Sequence, residues 1–347
     1  MRHKHGGDVY RYRNCIDFSS NCNPLGTPVS VQEAVIRSAA RLHEYPQTGS
    51  TSLCQAVAAY EKVPSSYVVC GNVAAEVIFS VVRAIAPRRA LLPAPTFSEY
   101  QEALESTGCS PDFFEMSEED DFRLSEGILD KIQPGVDILF ICNPNNPTGA
   151  LTERKLLLKI LEKCREAGTF LVIDECFLDF VKEPDAYTLK GSLPDNPGLF
   201  ILKAFTKRYA MAGVRLGYGL CSSEDLIEKI GRMTQPWNVS SPAQAAGIAA
   251  LKETGYVEEG RRIVFEELAY LKKEFLRLGI RFFASEANYL FFKSREDLFE
   301  ECLKEGILIR DCSNYTGLSR GYFRVAVKNH EENQKLVKVL ECLERRK

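Results

Sequence analysis

Between about residue 40 and residue 220, short β-rich apolar runs alternate with stretches whose apolar residues recur at helical spacing. Tyr67-Val68-Val69-Cys70, Ala90-Leu91-Leu92, Asp137-Ile138-Leu139-Phe140-Ile141-Cys142, Thr169-Phe170-Leu171-Val172-Ile173 and Leu199-Phe200-Ile201-Leu202 read as strands, most of them apolar on both faces. Strands without a polar face must be covered on both sides, so an α/β fold with a mainly parallel sheet between helices is predicted. The helices include 73–86, with Val73, Val77, Ile78, Val81, Val82 and Ile85 on one face, and 152–167, which repeats Leu behind an expected Thr152 cap and Glu153. Beyond Gly219 the texture changes. Helices at 223–233, 242–252 and 258–278 precede strands at 281–284, 289–292, 307–309 and 322–327 and a helix at 331–344. The predicted organisation is an N-terminal arm (1–40), a large domain (41–240) and a smaller C-terminal α+β domain (241–347). Turn formers such as Asn21-Cys22-Asn23-Pro24-Leu25-Gly26 outnumber periodic apolar positions in the arm, which is expected to cover a site.

Composition supports this picture and removes others. The 347 residues exceed one ordinary core, and 45% hydrophobic with 26% charged residues excludes a disordered chain. Basic and acidic residues, 44 and 47, nearly balance at a net −3 with no basic block, so a nucleic-acid partner is not expected and charged ligands should be small. The longest apolar runs, such as 136–142, fall far short of the roughly 20 residues of a membrane helix. Met1-Arg2-His3-Lys4-His5-Gly6-Gly7 is charged and precedes no apolar segment, so a cytoplasmic location and no membrane association are expected. Twelve cysteines without a Cys-x-x-Cys, and four histidines not paired with them, point to reduced thiols and no metal.

The candidate chemistry gathers at strand ends. Asn143-Pro144-Asn145-Asn146-Pro147-Thr148-Gly149 ends one apolar strand in a polar turn held by two prolines; the next delivers Asp174-Glu175; the next runs into Lys203-Ala204-Phe205-Thr206-Lys207, with Arg215 eight residues on. In open α/β sheets ligands bind at this edge.

This set of motifs resembles fold-type I pyridoxal-phosphate enzymes of the aspartate aminotransferase superfamily, over nearly the whole chain. The resemblance implies pyridoxal 5'-phosphate as cofactor, with Lys207 attaching its aldehyde, Asp174 pairing with its ring nitrogen and Asn146 bonding its ring 3-oxygen. A carboxylate is needed at Asp174 because a protonated pyridine ring is the electron sink, and an adjacent anion keeps that proton in place. For the cofactor phosphate it implies backbone N–H groups at Ala74 and Ala75, at a helix start, together with Arg215 and the Thr206 hydroxyl. The chain departs from the family where Val73 stands in place of a usual Gly and Ala204 in place of a hydroxyl residue. Phe97 resembles the aromatic residue stacked on the ring. Tyr45 resembles the tyrosine that reaches the phosphate from a partner subunit, which implies a homodimer with shared sites.

Within the superfamily the nearest subgroup by pattern holds histidinol-phosphate aminotransferases and the threonine-phosphate decarboxylases of cobalamin biosynthesis. His5-Gly6-Gly7, the stretch from Asp17 to Gly26 that contains Asn23, Gln235-Pro236-Trp237-Asn238-Val239, and the segments around Arg310 and Arg324 resemble the decarboxylases, as does Phe177 where aminotransferases commonly place Tyr. The expected substrate is a small phosphorylated amino acid, with Arg310 and Arg324 suited to its two anionic ends and His5 and Asn23 reaching it from the arm. Transamination by a histidinol-phosphate or related class I/II aminotransferase remains the alternative to decarboxylation of L-threonine O-3-phosphate.

Overall fold

The computed structural model describes residues 5–345. Met1, Arg2, His3 and Lys4, on which part of the expectation of no secretory leader rests, lie outside them. In chain order the first strands are β1 (Ile16–Asp17), β2 (Val68–Gly71), β3 (Arg89–Ala94), β4 (Ser110–Glu115), β5 (Ile138–Cys142), β6 (Phe170–Asp174), β7 (Leu199–Ala204) and β8 (Gly217–Leu220). All but β1 form one seven-stranded sheet in the order β2-β8-β7-β6-β5-β3-β4. Neighbours from β7 to β4 are parallel, and β8 runs antiparallel to both β2 and β7.

The unbroken apolar runs are explained by the two cores this sheet separates. Leu139, Ile141, Leu171, Ile173 and Ile201 pack with Leu157 and Ile160 of helix Arg154–Ala167. Their alternate neighbours Phe140, Val172, Phe200 and Leu202 pack with Val77, Ile78 and Val81 of helix Val73–Ile85 on the opposite face. Thr152 does not cap its helix, which starts at Arg154 with Glu153 as cap residue. The Asn143 side chain instead takes up both backbone groups of Thr152, accepting from its N–H at 2.8 Å and donating to its carbonyl at 3.2 Å, which pins the polar turn to the helix start.

The C-terminal strands are β9 (Arg281–Phe282), β10 (Tyr289–Lys293), β11 (Ile307–Leu308), β12 (Arg310–Asp311) and β13 (Tyr322–Ala326). A four-stranded antiparallel sheet runs β12-β13-β10-β9, and β1 pairs in parallel with β11. The first forty residues are therefore more than an arm: Phe18, fully buried, joins the small core, and helix Val29–Ser38 packs against helix Ser241–Ala250. The expected boundary at residue 240 also shifts. Ala243, Ala246 and Ala250 belong to the large core with Leu53 and Leu139, and helix Tyr256–Arg277 serves both cores, with Val264 in the large one and Leu268, Leu271 and Phe275 in the small one. Among the described residues no helix is long and apolar enough to cross a membrane.

One charged cluster lies inside the large core. Because side chains alternate along a strand, Glu175 and Lys203 point to the face opposite Asp174, where Lys203 Nζ meets Glu175 at 3.2 Å. Glu61, from helix Thr51–Glu61, accepts from Lys190 at 2.8 Å and from the Tyr218 hydroxyl, and Arg208 is held by Asp179 at 2.6 Å. Burial alone would raise the Glu61 carboxyl, but Lys203, Arg208 and Lys190 together outweigh it and hold it at about 2 rather than 4.5. A carboxyl depressed by folding adds stability that is complete above its unfolded value and is lost as pH falls through its folded one. Between pH 4.5 and about 2 the protein should therefore lose about 3 kcal/mol through this group. Urea unfolding at stepped pH reads this directly: Glu61→Gln should be less stable at pH 7 by about 3–5 kcal/mol and have a shallower acid limb, and an acid limb unchanged from wild type would contradict the assignment.

Candidate active site

The C-terminal edge of the principal sheet opens into a cavity of about 310 Å³ lined by His5, Ala74, Ala75, Phe97, Asn146, Asp174, Thr206, Lys207, Arg215, Arg310 and Arg324. Topology brings these residues together. β3 ends three residues before Phe97, β5 runs into the turn with Asn146, Asp174 closes β6, and the short helix Phe205–Arg208 at the end of β7 carries Lys207. Since β8 runs the other way, its start lies at the same edge, and Arg215 precedes it there.

Asp174 is buried and each of its oxygens has a donor: the Tyr100 hydroxyl at 2.6 Å on Oδ2 and the Cys176 backbone N–H at 2.9 Å on Oδ1. Burial raises its carboxyl, while these bonds and the charge of Lys207 oppose the rise. Lys207 is half-buried, with its amine 5.8 Å from the centroid of the Phe177 ring. The three asparagines of the turn divide their work. Asn143 holds the helix start, and Asn145 bonds Thr96, Pro95 and Thr148, all at 2.9 Å. Asn146 faces the cavity, its Oδ1 accepting from Tyr315 at 3.3 Å and from Arg324. Tyr100 and Tyr315 were not expected from the sequence; the spacing Phe97-x-x-Tyr100, one helical turn, is the signal that could have suggested the first.

Where helix Val73–Ile85 meets the cavity, the wall is built from backbone. Val73 opens its helix at φ 70°, the left-handed region that costs a β-branched residue about 1–2 kcal/mol. Beside it, a Cβ on Gly217 would stand 2.4 Å from the Ala74 nitrogen, so only glycine lets β8 press against this turn. The Thr206 Oγ1 is buried with no hydrogen-bond partner, and Arg215 is exposed at the rim. A helix start, an orphaned hydroxyl and a guanidinium suit an oxyanion.

At the opposite wall, Arg310 and Arg324 are direct cross-strand partners of β12 and β13, both about 5% exposed. The acceptors of Arg324 are neutral: Asn146, the Ser19 carbonyl at 3.0 Å and, with its amide turned, Asn21. Arg310 bonds the Asp311 carbonyl at 2.7 Å and Asn314 at 2.8 Å. His5 is brought to the rim and meets Glu99 at 3.3 Å. Asn23 is not brought in. Its amide donates to the Arg208 carbonyl at 3.0 Å and accepts from Leu25, while its backbone N–H donates to Lys207, so it fastens the arm to the lysine turn instead of facing ligand. Tyr45 lies outside this chain's cavity, 79% exposed and stacked on Trp237 with ring centroids 4.5 Å apart.

Comparison with known proteins agrees with this geometry. The model of the family described as aminotransferase class I and II matches residues 13–340. A threonine-phosphate decarboxylase of Salmonella typhimurium is 37% identical over 329 residues, 94% of this chain and 90% of that protein. A histidinol-phosphate aminotransferase of Desulfitobacterium hafniense is 33% identical, covering 94% and 91%. The crystal structure of the histidinol-phosphate aminotransferase from Clostridium acetobutylicum superposes with a TM-score of 0.88 at 30% identity, covering 95% of this chain and 99% of that one. The residues fit a pyridoxal ring and its phosphate: an amine, a dry carboxylate and an amide around one space, with an unfilled hydroxyl at its anionic end. The chain belongs to the class I and II aminotransferase family, and its cofactor is pyridoxal 5'-phosphate.

Proposed function

We propose that the protein decarboxylates L-threonine O-3-phosphate to (R)-1-amino-2-propanol O-2-phosphate with release of CO₂, as a step of cobalamin biosynthesis, and that it works as a homodimer in which Tyr45 reaches the neighbouring subunit's cofactor. The observation that carries this reading is the pair Arg310 and Arg324, side by side in one cavity with Lys207 and Asp174. The acceptors of Arg324 are all neutral, which leaves its charge for an anionic group of a ligand, and Arg310 directly across from it suits a second such group. A phosphorylated amino acid is such a ligand. The name of the Salmonella relative favours decarboxylation, as does Phe177, which leaves the wall near Lys207 without a phenol hydroxyl.

The bound cofactor supplies an electron sink for the pair released when a bond at the substrate Cα breaks. Lys207 is its point of attachment, and Asp174 holds the proton on its ring nitrogen. The Asn146 Oδ1 is occupied by Tyr315 and Arg324, so its Nδ2 is the atom that donates to the ring 3-oxygen. Arg310 and Arg324 would fix the substrate's anionic ends and thereby choose which Cα bond is presented for cleavage. As the carboxylate leaves as CO₂, a C–C bond is exchanged for a C–H bond, and the Lys207 amine is placed to deliver that proton. A second reading, a histidinol-phosphate aminotransferase, is favoured by the 33% identical Desulfitobacterium relative; there the amino group would leave the substrate.

Lys207→Ala should fold normally, lose borohydride-trappable cofactor and lose turnover by far more than the 10²–10⁴-fold attributable to one acid–base group; a label found on another lysine would overturn the site. Arg324→Ala should lower kcat/KM for threonine phosphate, assayed as CO₂ released without any oxo-acid, by about a hundredfold or more. If threonine phosphate yields no CO₂ while histidinol phosphate with 2-oxoglutarate turns over, the aminotransferase reading replaces this one.

A further inference from the structure

Asp174 is buried, which disfavours its charge, and Tyr100 is placed to offset that. Tyr100 is fully buried on helix Ser98–Glu105, its ring stacked on Phe140 at 4.9 Å and meeting Phe97, a cavity wall, edge-on at 5.6 Å. Both contacts fix the ring, so the hydroxyl has one place to point, and it donates to Asp174 Oδ2. The Cys176 N–H occupies the other oxygen, which leaves the carboxylate no rotational freedom and turns its remaining lone pairs toward the cavity.

We infer that Tyr100 is a positioning residue for the cofactor, clamping Asp174 in the ionised, ring-facing state that pairs with the protonated pyridine nitrogen. The inference rests on the cofactor assignment alone and is indifferent to whether decarboxylation or transamination follows. The charged and titratable groups facing Asp174 are few. Lys207 comes from the helix after β7, Cys142 from β5, Cys176 from the same loop, Tyr289 from β10 and Tyr100 from its helix. Burial pushes both thiols and both phenols well above their ordinary range, so they stay neutral. Losing one neutral donor leaves the effect of burial on Asp174 less opposed and favours its uncharged form.

The test reads cofactor affinity rather than turnover. Tyr100→Phe keeps both ring contacts and removes the hydroxyl alone. Titrated into protein freed of cofactor, pyridoxal 5'-phosphate should bind Tyr100→Phe on the order of tenfold more weakly at pH 7. The acid limb of its affinity should move to higher pH, since the cofactor's own ionisations are common to both proteins and cancel in the comparison. In an Asp174→Asn background, where no carboxylate remains, Tyr100→Phe should have no further effect. An acid limb that stays in place, or an equal loss of affinity in the Asn background, would show that Tyr100 only packs and would overturn the inference. A wild-type measurement needs no variant: as Asp174 takes up a proton in the cofactor-free protein, the near-ultraviolet band of the neutral Tyr100 phenol bonded to it should shift with the same midpoint as the acid limb of cofactor affinity, and absence of that shift would contradict the clamp. Failure of wild type to bind the cofactor at all would instead remove the cofactor assignment beneath it.

Discussion

Two guanidiniums placed opposite each other in adjacent antiparallel strands, both almost fully buried, are costly unless something anionic comes between or beside them. The acceptors around Arg324 are a carbonyl and side-chain amides, which satisfy its N–H groups and leave its charge uncompensated. Much of the structure serves this arrangement. The first residues of the chain fold back so that Ser19 meets Arg324, β1 joins β11, and Phe18 closes the small core behind them. A positively charged wall is thereby set against the sheet edge that carries Lys207 and Asp174.

The ends of β6 and β7, in the larger sheet, solve the opposite problem. Asp174 and Glu175 are successive acids, and the alternation of side chains sends one to the cavity and the other into a buried ion cluster. Glu175 is neutralised by Lys203, whereas Asp174 is given only neutral donors and the charge of Lys207. One acid is thereby committed to structure and the other left able to bind a cation. Lys203 and Lys207 divide in the same way: four residues apart, the first is absorbed in an ion pair and the second opens on the cavity. Asn23 and Arg208 fasten the turn between them to the arm and to Asp179, which fixes where the Lys207 amine can go.

The parts of this architecture that depend on local pattern were legible in the sequence. Apolar runs announced β5, β6 and β7, and the polar residues that end them announced Asn146, Asp174 and Lys207. β4 and β8 escaped notice for physical reasons. β4 is an edge strand with Pro111 and alternating polar residues, and β8 carries Gly217 and Gly219 because Ala74 and the Phe200 ring leave no room for a Cβ. Thr152 had the look of a helix cap but its backbone was claimed by Asn143, nine residues back. No motif in the sequence marks Tyr100 or Tyr315 as site residues, since their hydroxyls find partners only when distant segments meet. The division between arm, large core and small core was obscured by helices that pack on more than one of them, the 22-residue helix Tyr256–Arg277 above all.

If decarboxylation is the reaction, a cavity with two arginines facing a lysine and a buried carboxylate removes CO₂ from a phosphorylated amino acid and leaves its nitrogen in place. Threonine phosphate labelled with ¹³C in the carboxyl group and ¹⁵N in the amine, incubated with the cofactor-loaded protein in the presence of 2-oxoglutarate, separates the possibilities in a single mass spectrum. The expected products are ¹³CO₂ and an aminopropanol phosphate that retains the ¹⁵N. Transfer of ¹⁵N to glutamate, with the ¹³C still attached to the carbon skeleton, would contradict decarboxylation.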